Sequence, residues 1–199
     1  MGSDANRLRR KWQDYSGRNA LGAENNFYEV FSAIFEDTEY VIRKQPTDFK
    51  NAYVGYELSD KVLSEIYNPP EPITKHGFSL DFAIDNTETK KTLYVESKRQ
   101  DGWVEGLKRS AGRGNAHERS SKFFTPGLLR ILREKGRILK PALPFWTVFQ
   151  GDITRDPCRV REITCWYEGY SEHFFLWRDT KKSDDLIEHF LQYLKPLLD

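Results

Sequence analysis

The sequence predicts an α/β domain with a central mixed β-sheet flanked by helices. Some segments repeat their apolar residues every three to four positions, as amphipathic helices do, and others alternate apolar and polar residues, as strands do. Because the two kinds of segment are interspersed, we expect them to pack as layers of one unit. The chain has 199 residues, 38% of them hydrophobic, which suits a single domain over residues 1–199, with residues 1–20 as a peripheral N-terminal arm.

Two amphipathic helices are expected in the first third of the chain. The first lies near residues 23–36, and the second lies near residues 59–67, with Val62, Ile66 and Tyr67 turned inward. Prolines just after the second helix end it, because proline cannot continue a helix. The apolar face of the first helix consists of Phe27, Val30, Phe31, Ile34 and Phe35.

A β-hairpin is expected next. Every second residue from Phe78 to Ile84 is apolar, residues 85–90 favour a turn, and residues 92–98 give the second strand. Side chains alternate between the two faces of a strand, so Asp81 is expected to point away from the apolar face.

The second half of the chain continues the mixture of helices and strands. A helix is expected to open at Asn115 or Ala116, to be interrupted at Thr125-Pro126, and to resume as far as Gly136. The remaining predicted elements are strands at 145–150 and 174–177, a helix that begins at Asp156-Pro157, and a last helix capped by Ser183.

The cysteines and the N-terminus bear on the cellular compartment. Cys158 and Cys165 fall on one predicted helix, where seven residues correspond to about 10.5 Å, too far for a disulfide. The first residues lack the apolar core of a signal peptide, and no apolar stretch is long enough to span a membrane. These features favour a cytoplasmic protein with reduced cysteines.

Asp81, Glu96 and Lys98 form a candidate catalytic centre. Glu96 and Lys98 share one face of the second hairpin strand, about 6.6 Å apart, and pairing of the hairpin would bring Asp81 to them. Two carboxylates can bind Mg²⁺, and a neighbouring lysine can orient a water molecule and neutralise charge on a phosphate. Solvated carboxylates near strand ends are the alternative interpretation, and the basic segment that follows favours the catalytic one.

Residues 97–122 form a concentrated basic segment. They carry seven Lys and Arg against three Asp and Glu, a local net charge of +4 in a chain whose total is +1, as contacts with phosphates require. Arginine suits guanine, asparagine suits adenine, and a small residue such as Ala116 fits a thymine methyl group. A surface loop before an ordinary helix is the alternative. The candidates for contacts with the DNA backbone are Arg109, Gly114, His117 and Lys122.

This segment also carries a family resemblance. The run Gly114-Asn115-Ala116-His117-Glu118-Arg119 resembles the GNAxER segment of restriction endonucleases that recognise a central AATT. Similar blocks follow in the order of that family from about residue 22 to the C-terminus. They are residues 81–84, 98–106, 110–120, 124–129, 151–157 and 159–164.

The resemblance implies a type II restriction endonuclease with a PD-(D/E)XK core. In that core Asp81 and Glu96 would bind Mg²⁺, and Lys98 would assist the attacking water. The enzyme would be a homodimer that cuts both strands of double-stranded DNA at an AATT-centred palindrome, most specifically CAATTG cut after the first C. The ends would carry 5′-phosphates and AATT overhangs.

Roles in base reading follow from the same resemblance. Asn115, Ala116 and Arg119 would read the inner AATT, and Arg113 would select the outer C·G pair, in line with the preference of arginine for guanine. A two-fold dimer matches a palindromic site. The resemblance also implies a cognate DNA methyltransferase, encoded elsewhere, that protects the host's own sites.

Two residues depart from the family pattern. Leu80 precedes Asp81 where the motif has proline, and Ser97 stands where an apolar residue is usual. Neither position supplies a ligand, so we expect the chemistry to survive, but strand parity turns Ser97 toward the core, where its hydroxyl would need a partner. Glu24 on the first helix is a weaker candidate for an accessory carboxylate, with a solvated helix residue as the alternative.

Two other functions fit part of these observations. A DNA-binding regulator of the same fold would bind a specific sequence without cutting it, and the intact catalytic residues argue against it. A repair-type nuclease would act on mismatched or structured DNA, and the AATT-reading segment argues against that. Cleavage of matched, linear duplex separates both from a restriction endonuclease.

Overall fold

The computed structural model describes residues 27–108 and 115–199, and its centre is one mixed β-sheet of five strands in the order β1-β2-β3-β4-β5. The first three strands pair antiparallel, and β4 and β5 continue the sheet in parallel with β3. The predicted mixed sheet is therefore confirmed. The strands are β1 (Tyr40–Lys44), β2 (Phe82–Asn86), β3 (Thr92–Arg99), β4 (Phe145–Gln150) and β5 (Phe174–Trp177).

Helices pack against both faces of this sheet. The α-helices are α1 (Phe27–Phe35), α2 (Asp60–Glu65), α3 (Pro126–Gly136), α4 (Pro157–Trp166), α5 (Asp184–His189) and α6 (Lys195–Leu198). A π-helical segment, Phe190–Leu194, joins the last two. The 3-10 helices are Thr47–Phe49, Ala116–Phe124, Asp152–Arg155 and Ser171–His173.

The core consists of two apolar clusters, one on each face of the sheet. On the first face, α1 and the C-terminal helices cover the sheet, and the Phe31 ring meets the rings of Trp146 and Phe190 edge-on at 5.9 and 5.1 Å between centroids. On the second face, α3 and α4 cover Tyr94 and Phe145. Successive residues of β3 alternate between the clusters, so this strand is buried on both sides, as the sheet interior of an α/β fold requires.

The predicted hairpin is present, but its first strand is shifted. Strand β2 begins at Phe82 and includes Asp85 and Asn86, for which the sequence predicts a turn. The carboxamide oxygen of Asn86 accepts hydrogen bonds from the next turn's backbone at 2.8 and 3.0 Å, so the turn starts later than its composition indicates. The chain bends at Asp81, which places Leu80 in the second cluster and Phe82 against the first. The single alternating face predicted from Phe78 to Ile84 is therefore wrong.

The second predicted helix forms, but its predicted orientation is wrong. Helix α2 ends at Glu65, and Val62, Ile66 and Tyr67 are 40%, 48% and 87% exposed instead of turned inward. At the N-cap of this short helix, the Ser59 hydroxyl accepts a hydrogen bond from the backbone N–H of Val62.

Most of the other predicted elements of the described chain are confirmed with small changes. The last helix begins after Ser183 as predicted, but the Ser183 hydroxyl makes no capping hydrogen bond among the described residues, and the π-helical segment divides the helix. The segment after Asn115 is a 3-10 helix that gives way to α3 at Pro126, and Asp156 caps α4 through hydrogen bonds from the backbone N–H groups of Cys158 and Arg159. Both cysteines are free and exposed.

None of the helices in residues 27–108 and 115–199 has the length and apolar composition needed to cross a bilayer.

Candidate active site

Asp81 lies at the bend where the chain enters β2, and two hydrogen bonds fix it there. Its carbonyl oxygen accepts from the backbone N–H of Gln45 at 2.8 Å, which extends the β1–β2 pairing by one residue. Its carboxylate Oδ2 accepts from the backbone N–H of Ser97 at 2.8 Å. The second bond ties the carboxylate to the backbone of β3 between Glu96 and Lys98.

Glu96 and Lys98 lie on the face of β3 that also carries Tyr94. The Lys98 ammonium forms an ion pair with Oε1 of Glu96, lies 3.9 Å from Oδ2 of Asp81, and donates to the carbonyl of Ser97 at 3.3 Å. The structure thus brings Asp81, Glu96 and Lys98 together, with the lysine between the two carboxylates.

The three side chains differ in their access to solvent. The Asp81 side chain is 44% exposed, whereas those of Lys98 and Glu96 are 16% and 7% exposed. Burial raises the pKa of Glu96, and the neighbouring Lys98 ammonium opposes that shift. The site therefore has a buried end at Glu96 and an open end at Asp81, from which a ligand can approach.

Asn115, Ala116, Arg119 and Lys122 lie on the 3-10 segment Ala116–Phe124 or at its N-cap. Asn115 is exposed, and its carboxamide Oδ1 accepts a hydrogen bond from Nη2 of Arg159 at 2.8 Å. Ala116 is the first residue of the 3-10 helix, and Arg119 is exposed on it. Lys122 is also exposed, and its ammonium lies 5.0 Å from the centroid of the Phe123 ring and 6.0 Å from that of Phe78.

His117 occupies a different position from the other residues of this segment. Its side chain is 0% exposed, stacks on the ring of Trp166 at 5.3 Å, and meets Oε2 of Glu162 through Nε2 at 2.8 Å. In this conformation the ring has no direct path to a phosphate. Predicted roles for Glu24, Arg109, Arg113 and Gly114 fall outside the described residues.

Comparison with known proteins places this chain and its fold in a family. A family model described as "Type II restriction enzyme MunI" matches residues 1–199. The chain is 53% identical over 202 residues to the type II restriction enzyme MunI of Mycoplasma sp., and the match covers 100% of both proteins. It also matches, with a TM-score of 0.86 and 54% identity, the crystal structure of MunI restriction endonuclease in complex with cognate DNA, over 94% of this chain and 97% of that chain.

The chain belongs to the MunI family of type II restriction enzymes. It is accordingly a site-specific deoxyribonuclease, and its mixed sheet with flanking helices is the α/β core of the PD-(D/E)XK nucleases. The family resemblance predicted from the sequence is confirmed.

The donor set of this MunI-family site fits a divalent metal ion. Oε2 of Glu96 is buried without a hydrogen-bond partner among the described residues, next to the exposed carboxylate of Asp81. Among the described residues, Asp81 and Glu96 are the two carboxylates at this site, and no group of three or more His, Cys, Asp or Glu side chains there could hold a metal. Mg²⁺ suits such a site, because it commonly takes one or two carboxylates and retains water.

The two departures from the family pattern leave the site intact. Leu80 is buried in the second cluster, directly before the bend at Asp81, and does not have the fixed φ of proline. Ser97 is half-buried and not enclosed in the core, and its backbone N–H is the donor to Asp81.

Sequence reasoning did not identify Arg159 and Glu162 as part of the site. Arg159 holds the carboxamide of Asn115 and forms an ion pair with Glu162, which in turn contacts His117. The spacing of Arg159 and Glu162 on a helix indicates only an ordinary surface pair. Their contacts with Asn115 and His117 bridge more than forty residues of sequence, so no local pattern indicates them.

Proposed function

We propose that this enzyme hydrolyses both strands of double-stranded DNA at CAATTG, after the first C, in a Mg²⁺-dependent reaction. The products carry 5′-phosphates and AATT overhangs. The observation that carries the proposal is the convergence of Asp81, Glu96 and Lys98 at one end of β2 and β3. The MunI structure that this chain resembles contains cognate DNA, which supports DNA as the ligand.

The chain's own residues divide the chemistry between them. Asp81 and Glu96 would hold Mg²⁺, which when bound acidifies water and stabilises negative charge on a phosphate. The Lys98 ammonium lies between the carboxylates, where it can orient a water molecule and neutralise charge that develops on the phosphate. Water attacks phosphorus, the bond to the 3′ oxygen breaks, and the phosphate remains on the 5′ end.

The proposed reading of the site uses the residues around Asn115. Asn115, Ala116 and Arg119 read the inner AATT, and Arg113 reads the outer C·G pair. Lys122 contacts the phosphate backbone of the DNA, and Arg109 and Gly114 make further contacts with it. His117 supports this segment from the interior, which replaces its predicted phosphate contact. Glu24 stays a proposed accessory carboxylate.

The proposal also includes the assembly, the cellular compartment and the partner enzyme. Two chains related by a two-fold axis act on the palindrome, one on each strand. The enzyme works in the cytoplasm, where its DNA substrate lies, together with a separately encoded DNA methyltransferase of the same sequence specificity.

Digestion of plasmid DNA in Mg²⁺, followed by sequencing of the fragment ends, tests the proposal. Ends at CAATTG after the first C are expected. Ends at another AATT-centred site would keep the mechanism and overturn the role of Arg113. Binding of a specific sequence without cutting would favour the DNA-binding regulator, and cutting confined to mismatched or structured DNA would favour the repair nuclease.

The Asp81→Ala variant is the matched control for this assay. It should lose cleavage and keep specific binding, measured in Ca²⁺ by gel shift on the same duplex. Cleavage by Asp81→Ala at the wild-type rate would overturn the assignment of the catalytic centre.

A further inference from the structure

We propose that Arg159 and Glu162 are positioning residues for base recognition, which fix the orientation of the Asn115 carboxamide before DNA binds. The inference rests on the proposed role of Asn115 in reading the AATT site and extends it to two residues of another element. Nη2 of Arg159 donates to Oδ1 of Asn115 at 2.8 Å. This contact joins the start of the 3-10 segment Ala116–Phe124 to the first turn of α4.

The contact selects one of two orientations of the carboxamide. A guanidinium has only hydrogen-bond donors, so it can pair with the oxygen of Asn115 and not with its NH₂ group. The NH₂ group must then occupy the other branch of the planar amide, away from Arg159. One lone pair of the oxygen stays available, so the amide can still present one acceptor and one donor to an adenine edge.

Glu162 holds the guanidinium in place. Nη1 of Arg159 donates to both carboxylate oxygens of Glu162, at 3.1 and 2.8 Å, while Nη2 is left for Asn115. The Arg159 side chain is only 16% exposed, so its charge is largely withdrawn from water and needs this partner. Arg159, and to a smaller extent His117, lower the pKa of Glu162 and so favour its ionised form, which pairs with the guanidinium.

The other end of the network is anchored in the protein interior. Oε2 of Glu162 meets Nε2 of His117 at 2.8 Å, and the buried His117 ring stacks on Trp166 of the same helix, α4. The Asp156 carboxylate accepts from the backbone N–H of Arg159 at 3.2 Å and fixes the first turn of α4. Rigid neighbours therefore hold both Asn115 and the residue that orients it, an arrangement that reduces the ordering cost of binding.

Three variants and one matched control separate positioning from general stability. Arg159→Met keeps the aliphatic part of the side chain and removes every hydrogen-bond donor. Arg159→Lys keeps a single nitrogen, which cannot contact Asn115 and Glu162 with the geometry of a guanidinium. Glu162→Gln removes the negative charge that holds the guanidinium. The control is Arg130→Met, since Arg130 forms a comparable helical pair with Glu134 at 3.1 Å on a different helix, α3.

The first measurement is how strongly each variant prefers adenine over an analogue at one inner position of the site. We would compare kcat/KM on the CAATTG duplex with kcat/KM on a duplex in which purine, which lacks the 6-amino group, replaces one inner adenine. Arg159→Met should lower this ratio about tenfold, Arg159→Lys and Glu162→Gln should lower it less, and Arg130→Met should leave it unchanged. Thermal unfolding of each variant shows whether it is folded. If Arg159→Met does not fold, Arg159→Lys and Glu162→Gln provide the same test.

A double-mutant cycle with Asn115→Ala decides whether the effect passes through Asn115. If Arg159 acts by orienting the carboxamide, Arg159→Met has no further effect on discrimination once the carboxamide is gone. An undiminished effect of Arg159→Met in the Asn115→Ala background would overturn the proposal, as would wild-type discrimination in Arg159→Met.

A measurement without DNA distinguishes failure of this inference from failure of the proposed function. The side-chain amide signals of Asn115 in the NMR spectrum of the free enzyme should shift in Arg159→Met and stay in place in Arg130→Met. Shifted signals together with unchanged discrimination in Asn115→Ala would confirm the contact and reject base reading by Asn115. Unshifted signals would reject the contact itself.

Discussion

At the scale of single residues, Lys98 has a structural task as well as a proposed chemical one. Its ammonium forms an ion pair with Glu96, whose carboxylate is almost fully buried. Burial alone raises the pKa of Glu96, and Lys98 is the largest influence in the opposite direction. A lysine in this position therefore offsets part of the cost of burying the Glu96 carboxylate.

Replacement of Lys98 should consequently cost stability as well as activity. Lys98→Met leaves the Glu96 carboxylate buried without its counter-charge, and we expect the free energy of unfolding at pH 7 to fall by about 3 kcal/mol. Urea denaturation measures this change. The double variant Glu96→Gln/Lys98→Met removes both charges and should recover most of the loss without recovering cleavage. Equal stabilities of Lys98→Met and wild type would contradict the pairing.

His173 is a buried histidine held in its neutral form. Nδ1 lies 3.0 Å from the carbonyl of Phe145 and donates to it, while Nε2 accepts from the backbone N–H of Leu143 at 3.1 Å. Burial lowers the pKa of His173 below its ordinary value of 6.5, and Glu172 acts in the opposite direction. A second proton would remove the acceptor that Leu143 uses.

The stability of the protein should therefore depend on His173 below pH 6.5. Because the folded pKa is depressed, the unfolded chain binds more protons in this range, and stability falls as the pH drops from about 6.5 toward the folded pKa. The slope contributed by one such histidine is at most about 1.4 kcal/mol per pH unit. Urea denaturation from pH 7.5 to pH 5 should show a shallower slope in His173→Asn than in wild type.

The exposed His76 and the buried His189 make the test of His173 specific. His76→Asn removes an imidazole from the surface and serves as the matched control. Burial also lowers the pKa of His189. Both variants retain His189, so it contributes equally to the pH dependence of stability in each. A His173→Asn slope equal to that of wild type would show that folding does not change the pKa of His173.

At the scale of elements, the ends of β3 and β4 depend on one glycine. Gly151 follows β4 with φ +83°, and a Cβ there would lie 2.8 Å from the carbonyl oxygen of Gln100 and closer still to Oδ1 of Asp101. Gln100 pairs with the end of β4 through its N–H to Gln150 and accepts from Ile153. The close approach fixes the backbone two residues after Lys98.

Gly151→Ala is expected to reduce both stability and cleavage. The alanine would have to adopt a positive φ, which is unfavourable for a residue with a side chain, and its Cβ would press on the neighbouring backbone. We expect the free energy of unfolding to fall by about 1–3 kcal/mol. Displacement of the end of β3 should also lower the cleavage rate, since small shifts in reacting groups are costly. Gly169→Ala is the matched control, because Gly169 has φ +77° and a Cβ added there would meet none of the described residues within 4 Å. Equal losses in both variants would show that the approach to Gln100 has no consequence.

The hairpin shows how far a local pattern predicts this site. Alternation of apolar residues predicts two adjacent strands, and adjacency alone is enough to bring Asp81 to Glu96 and Lys98. The pattern does not show the bend at Asp81, because Phe78 and Leu80 pack in one cluster and Phe82 and Ile84 in the other. The proximity of the three residues was thus predictable, and the face on which each apolar residue packs was not.

Contacts between distant elements set the limit on prediction from the sequence. Strand β1 is short and pairs with residues about forty positions away, so its five residues carry little local signal. The partners of Asn115 and His117 on α4 were missed for the same reason. Residues 59–67 have the periodicity of a packed helix, yet that periodicity does not reveal whether another element covers the face.

At the scale of the whole molecule, charge and the number of catalytic centres bear on assembly. The total charge of +1 conceals the local +4 of residues 97–122, so the attraction to DNA that we propose is concentrated in one segment of the sequence. The described residues hold one centre of Asp81, Glu96 and Lys98 per chain. Under the proposed function, two chains of a two-fold dimer cut the palindrome, one on each strand.

A mixed dimer of wild-type and Asp81→Ala chains should therefore nick DNA without linearising it. The two chains would be co-expressed with different affinity tags, purified in sequence, and tested at an excess of supercoiled plasmid that carries one CAATTG site. We expect linear product from the wild-type dimer, open circles from the mixed dimer, and supercoiled DNA from the Asp81→Ala dimer, because only one strand meets an intact centre in the mixed species. Linear product from the mixed dimer at the wild-type rate would mean that a single centre cuts both strands, and the two-fold arrangement would have to be abandoned.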